Sequence, residues 1–170
     1  AALQRLVAAG PGLPAGDARL AALWRTAFGG EPESRETSAV HTNRAAILAL
    51  GIAVGHERLA RFAGLDRDDD LIRAAARLRQ GASLRGREDW SRHYWLSAGL
   101  TVVEGPFFSE VGGVLKEQLD ALTKGSGFSF GDLAADRAGI RFAGVATRSE
   151  AHALALRAKL RAGFSVDDFF

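Results

Sequence analysis

The chain has 170 residues, 47% of them hydrophobic and 25% charged, with a mean hydropathy of -0.02, a composition that fits about one ordinary globular domain. Collagen-like, disordered and disulfide-framework classes fall away, and 22 basic against 20 acidic residues exclude a global polycation even though the pI is near 9.5. The absence of cysteine removes thiolate zinc sites, iron-sulfur clusters and cysteine nucleophiles from consideration.

After the turn-rich Gly10-Pro11-Gly12-Leu13-Pro14, Asp17 is expected to cap a helix whose apolar positions Leu20, Leu23, Trp24 and Phe28 recur at helical spacing. Gly29-Gly30 and Pro32 end it. A second helical segment is predicted from Ser38 to Arg61, with Ile47, Leu48, Ile52, Leu59 and Phe62 turned to the core and Gly51 and Gly55 as the points where so long a helix would break. The acidic run Asp66 to Asp70 leads into a short helix carrying Leu71, Ile72, Ala75 and Leu78. Acids stand at its amino end and Arg77 and Arg79 at the other, as the helix dipole favours.

Beyond Gly81 to Gly86, the pattern predicts a helix from Asp89 to Glu104 with Trp90, His93, Ser97 and Leu100 along one stripe. Pro106 restarts the chain, and Phe107 to Thr123 places Phe107, Val111, Val114, Leu115 and Leu122 on one face before the turn Gly125-Ser126-Gly127. Ser129 with Asp132 matches the Ser-x-x-Asp helix start, and that helix runs to about Ala146 with Leu133, Arg137 and Ile140 on one side. Thr147-x-x-Glu150 repeats the signal. The last helix spans Ser149 to Ala162, stops at Gly163, and leaves a tail of Phe164, Val166, Phe169 and Phe170 to dock on the body.

Strand patterns are scarce, so the expected fold is all-α: one domain over residues 1–170, a compact bundle of six or seven helices with a central helical hairpin at 107–146 and a weak internal boundary near 80–88. The longest nearly apolar run, Ala45 to Gly55, is far short of the roughly 20 residues that span a bilayer, so no transmembrane span is written in this chain. A start at Ala1 with no methionine anywhere is what a trimmed fragment would show, and it leaves room for an export signal or lipid anchor upstream.

The hairpin is the most informative region, because a short connection makes its helices antiparallel neighbours. Asp120 and Asp132 each lie about six residues from the turn, and Glu117 and Asp136 about ten, roughly 15 Å up at 1.5 Å per residue. The acids are therefore expected to meet in two level pairs. Carboxylates crowded in a partly buried site need neutralising. One solution is a divalent metal, for which oxygen ligands suit Mg²⁺, Ca²⁺ or Mn²⁺ and an added His93 widens the choice to Zn²⁺ or Fe. Another is an acid of raised pKa beside an ionised base. The candidate ligands are His93, Glu117, Asp120, Asp132 and Asp136. The candidate catalytic residues are Glu117 as general acid or base and His93 as proton carrier. A di-iron centre is not expected, since its two Glu-x-x-His motifs are missing. The alternative is a structural ion-pair network in which the acids pair with Lys116, Arg137, Arg141 and Arg92.

The order His93, Lys116-Glu117-x-x-Asp120, Gly125-Ser126-Gly127-Phe128-Ser129-Phe130 and Asp132-Leu133-Ala134-Ala135-Asp136 resembles a family of uncharacterised bacterial proteins predicted to be periplasmic, some of them described as lipoproteins. The match covers roughly residues 90–145, and the familiar form has tryptophans where this chain has Phe128 and Phe130. The resemblance implies a helical fold and an exported, envelope-side location, and it supplies no activity. A looser likeness to small membrane proteins associated with teicoplanin resistance lies in the same His, Glu and Asp order, and nothing is carried over from it.

A second surface gathers Arg73, Arg77, Arg79, Arg85, Arg87 and Arg92 near Trp90, Tyr94 and Trp95. Arginines beside aromatics can bind phosphates and stack bases, but interspersed Asp68 to Asp70, Glu88 and Asp89 favour a solvated face, and nucleic acid is not an expected partner. Phosphate-loop, His-Glu-x-x-His and Gly-x-Ser-x-Gly motifs are absent. His41 with Asn43, and His56-Glu57, read as surface or packing residues, while Ser126 and Ser129 are explained by turn and capping roles.

The functional expectation is an exported envelope protein whose His/Glu/Asp pocket binds a divalent metal or hydrolyses an envelope polymer or ester. The opposing expectation is a non-catalytic scaffolding module in which the acids form ion pairs and the terminal phenylalanines or exposed tryptophans contact another envelope protein.

Overall fold

A computed structural model describes residues 1–30, 37–66, 69–103 and 129–170. The described residues form seven α-helices and no strand: α1 (Ala2–Ala9), α2 (Gly16–Phe28), α3 (Ala39–Leu50), α4 (Asp70–Arg77), α5 (Glu88–Val102), α6 (Phe130–Ala146) and α7 (Glu150–Ala162). The fold is an all-α bundle. None of these helices is long and apolar enough to cross a membrane. The first arm of the expected hairpin, with Lys116, Glu117, Asp120 and the Gly125-Ser126-Gly127 turn, lies outside the described residues.

The bundle is built around α5, in which Ser91 and every residue from His93 to Gly99 are buried. A helix hydrophobic on one stripe faces a core from its rim, whereas one buried on all sides sits within it. Tyr94 and Trp95 therefore belong to the interior and not to an arginine-rich surface. Trp24 of α2 is the hub of the aromatic packing, with ring centroids 4.8 Å from Trp95, 5.6 Å from Tyr94 and 4.9 Å from Phe142. These tilted and edge-to-face arrangements are the geometries that aromatic quadrupoles favour.

The predicted long helix from Ser38 to Arg61 is broken where its glycines stand. Helix α3 ends at Leu50, a π-turn covers Gly51–Gly55, and a 3-10 helix follows over Glu57–Ala63. The physical cause is a close approach to α5. A Cβ on Gly55 would lie 2.6 Å from the Leu96 nitrogen, and one on Gly51 would lie 2.8 Å from Leu59 Cδ1 and 3.2 Å from the Trp95 oxygen. Side chains there would push the turn off the central helix.

Asp17 does not cap α2, whose N-cap position is Ala15. Gly16, with φ at +71°, turns the chain so that the Asp17 carboxylate faces the 80–88 loop instead. It accepts the Ser83 hydroxyl and the Gly86 N–H, the latter at 3.0 Å. The Gly16 N–H donates to the Gly81 carbonyl at 2.7 Å. The stretch that looked like a weak boundary is thus pinned to α2. At α4 the expected dipole pattern holds, with Asp69 as the capping side chain and Arg77 in the last turn.

Helix α7 is capped by Ser149, while the Thr147 hydroxyl bonds back to the Ala143 carbonyl at 2.8 Å. Glu150 is not the partner of a Thr147 cap. Its carboxylate accepts the Ala39 N–H at 2.8 Å, at the start of α3. After Gly163 at φ +115° the tail docks as expected. Val166 is buried, Phe164 and Phe169 reach Trp24 at 5.4 and 5.0 Å, and Phe170 stacks on Trp90 at 5.4 Å. Deep between α3, α6 and α7, Asn43 donates to the Ala146 carbonyl at 2.9 Å and Arg157 donates to the Asn43 side-chain oxygen at 3.3 Å. Arg157 also donates to the Gly30 carbonyl.

Candidate functional site

The site is created by the crossing of α5 and α6. Ser129 accepts the Asp132 N–H at 3.2 Å and the Asp132 carboxylate accepts the Ser129 N–H at 3.1 Å, a reciprocal capping box that fixes where α6 begins. From that start, Asp132, Ala135, Asp136, Gly139 and Ala143 fall on one side of the helix at spacings of three and four residues. Ala135 and Ala143 are fully covered. A Cβ on Gly139 would run into the Tyr94 carbonyl, and one on Gly131 into the Trp90 ring. Small residues therefore let the two backbones touch, and this contact sets acidic α6 side chains against polar α5 side chains.

On α5, His93 and Ser97 stand one turn apart and share a face. Both are buried. They converge on a single atom: Asp136 Oδ1 accepts the Ser97 hydroxyl at 2.7 Å and lies 3.2 Å from His93 Nδ1. An ionised carboxylate has no proton to give, so Nδ1 is the donor and the neutral imidazole keeps its lone pair on Nε2. Burial pulls the His93 pKa down, but the Asp136 hydrogen bond and the charges of Asp136, Asp132 and Asp89 outweigh it, leaving the imidazole above its ordinary value.

Asp132 is buried as well, and its second carboxylate oxygen, Oδ1, has no hydrogen-bond partner among the described residues. A buried carboxylate oxygen without a donor is costly. Asp132 sits in the field of Arg87, yet the Arg87 hydrogen bonds go to Asp89 at 2.6 and 2.9 Å. Neither Asp132 nor Asp136 forms an ion pair with an arginine or lysine among the described residues; the Asp136 partner is His93. Pairing of these two acids with Arg92, Arg137 or Arg141 is therefore not what the fold uses.

Of the five predicted site residues, the structure brings His93 and Asp136 into contact and sets Asp132 one turn away on the same face of α6. Glu117 and Asp120 lie outside the described residues, so the two level pairs of acids are not seen. Among the described residues no group of three or more His, Asp or Glu side chains is placed to hold a metal ion. Ser97 is the member that sequence reasoning left without a role. Its signal was its position four residues after His93, which has meaning only once Asp136 is known to face both.

The remaining candidates resolve simply. Four arginines of the arginine-rich surface are ion-paired: Arg73 with Asp70, Arg79 with Glu57, Arg85 with Asp167 and Arg87 with Asp89. Of its expected aromatics, Tyr94 and Trp95 are inside, while Trp90 is half-buried with Arg87 over its ring. Trp24 and Trp95 are fully buried, and Phe170 is stacked on the half-buried Trp90 ring. Comparisons with protein-family models, with curated proteins and with solved structures give no match.

Proposed function

We propose that the chain is an envelope-side hydrolase of an ester or polymer whose proton transfers are carried by His93, with Asp136 as the carboxylate that orients it. The observation that supports this reading is the double hydrogen bond to Asp136 Oδ1 from a buried imidazole and a buried hydroxyl, on a carboxylate that no arginine or lysine among the described residues neutralises. A carboxylate holding Nδ1–H fixes the tautomer in which Nε2 is basic, and it stabilises the imidazolium once a proton arrives. In such a site Nε2 accepts a proton from water as the water oxygen bonds to the acyl carbon. The same proton then passes to the leaving oxygen as the ester bond breaks. The raised His93 pKa is compatible with that duty, because the Asp136 carboxylate that raises it stabilises the imidazolium formed when Nε2 takes a proton.

The envelope setting is supported by the resemblance over residues 90–145 and by nothing else in the chain. The metal-binding version calls on Glu117 and Asp120, outside the described residues. The scaffolding version predicts acids satisfied by arginine or lysine and tryptophans exposed for a partner, and the geometry of Asp132, Asp136, Trp24 and Trp95 favours neither.

The test is hydrolysis of a panel of aryl esters and purified peptidoglycan by the native chain and by His93→Gln, with circular dichroism to establish folding. A folded His93→Gln protein that has lost about 100-fold or more in rate supports the assignment. Equal rates in the two proteins, or no turnover of any substrate by the native chain, count against it. Thermal melts with chelator and with added divalent ions separate the metal version, in which chelation lowers the melting temperature.

A further inference from the structure

A second site lies on the opposite side of α6 from His93. Residues Arg137, Arg141 and Val145 project away from the α5 contact, toward α7 and the carboxyl-terminal tail. Between these elements runs an open groove of about 520 Å³, within the roughly 300–1,000 Å³ range of small-molecule sites. Its floor is apolar, formed by Phe142, Leu156 and Phe169, with the Phe142 and Phe169 rings 5.5 Å apart and edge-to-face. Arg137 and Arg141 stand at its edge.

The two arginines are the informative feature. They are one helical turn apart, so their charges face the same way, an unfavourable like-charge pairing unless an anion lies between them. Neither side chain has a hydrogen bond or ion-pair partner among the described residues, in contrast to Arg73, Arg79, Arg85 and Arg87. The acid that lines the groove, Asp168, is already engaged by Lys159 Nζ at 3.8 Å and by the Ser165 N–H at 3.3 Å. Two guanidinium groups without an ion-pair partner among the described residues, above an aromatic and aliphatic floor, are complementary to a molecule with an anionic head and an apolar body. Planar guanidinium groups suit a carboxylate in particular, since they present paired donors to its two oxygens.

We propose that this groove binds a single-chain aliphatic carboxylate, with its head between Arg137 and Arg141 and its chain along Phe142, Leu156 and Phe169. The inference is independent of the reading of His93, because the two sites lie on different faces of α6.

Titration calorimetry on the full chain tests it, with octanoate, decanoate and dodecanoate below their micellar concentrations, and with dodecyltrimethylammonium and acetate as controls. Dodecanoate is expected to bind with one-to-one stoichiometry, and affinity to fall by up to about fourfold for each methylene removed. In the double variant Arg137→Gln/Arg141→Gln, affinity is expected to drop at least about tenfold while the melting temperature stays put, since both side chains are exposed. The proposal is overturned if the cationic surfactant binds as well as dodecanoate, or if the double variant binds dodecanoate unchanged. It is equally overturned if dodecanoate does not bind, including the case in which only phosphatidylglycerol vesicles do, which would assign the surface to a membrane.

Discussion

Two buried polar clusters in this molecule look alike in composition and differ in what they leave unsatisfied. At the junction of α3, α6 and α7, Asn43 and Arg157 spend their hydrogen bonds on one another and on the backbone carbonyls of Ala146 and Gly30. Their charge state is fixed, because an amide does not titrate and a guanidinium remains protonated. At the α5–α6 crossing, His93 and Ser97 share one oxygen of Asp136, and a neighbouring carboxylate oxygen on Asp132 is buried without a partner among the described residues. The first cluster closes helix ends and has one protonation state. The second holds a proton that can come and go, which is the property a chemical site needs and a structural joint does not.

The comparison can be broken by mutation, starting where the effect is largest. Gly139→Val should destabilise the fold by about 3 kcal/mol, because the added carbons meet the Tyr94 carbonyl and force α5 from α6. Chemical denaturation measures this, and a loss below about 1 kcal/mol would show that the helices are not in backbone contact. Asn43→Ala should cost nearly as much, about 2 to 3 kcal/mol, by leaving a buried guanidinium short of a partner. If the proposed hydrolysis is observed, its rate in this variant should be unchanged, whereas a matching fall in activity would erase the distinction between the two clusters.

Asp136→Asn should act through pH. The folded His93 pKa is raised, so the stability it contributes is fully present below the unfolded value of about 6.5 and is lost as pH rises through the folded pKa. The stability gap between native and Asp136→Asn proteins is therefore expected to be wider at about pH 5.5 than at about pH 8.5. A gap that is constant, or widens toward alkaline pH, would contradict the His93–Asp136 contact. The smallest effect belongs to Ser97→Ala, which removes one of two donors to Asp136 and should cost about 1 kcal/mol. Its sharper signature is a further rise in the His93 pKa, as the carboxylate left with one donor becomes more basic.

Much of the fold was legible because its signals are local. Ser129 and Asp132 mark the start of α6 through a capping box that involves only four consecutive residues, and Gly163 and the acidic start of α4 act over similarly short spans. Glycines at 51 and 55 announced a break in α3, although its cause, contact with Leu96 and Trp95, is not local. Asp17 was misread for the same reason. Its partners, Ser83 and Gly86, are distant in sequence, and Gly16 turns it away from the helix it would otherwise cap. On α5, the stripe of Trp90, His93, Ser97 and Leu100 is only part of what is covered, because the helix is buried on every side, so Tyr94 and Trp95, read as neighbours of a solvated arginine face, belong to the interior.

The candidate site divides along the same line. His93, Asp132 and Asp136 could be picked out as residues able to do chemistry on helices able to meet. That Asp136 faces Ser97 as well as His93 depends on the depth at which two helices cross. Spacing within one helix does not encode that depth. The small residues at 135, 139 and 143 permit a close approach to α5.

The most direct measurement is a side-chain NMR titration of His93 in the native chain and in Asp136→Asn. A native pKa above 6.5 that falls when the charge on residue 136 is removed is the predicted result, because burial alone depresses an imidazole. A native value at or below 6.5, or one indifferent to the substitution, would mean that Asp136 does not hold His93, and the proton-transfer site would be gone.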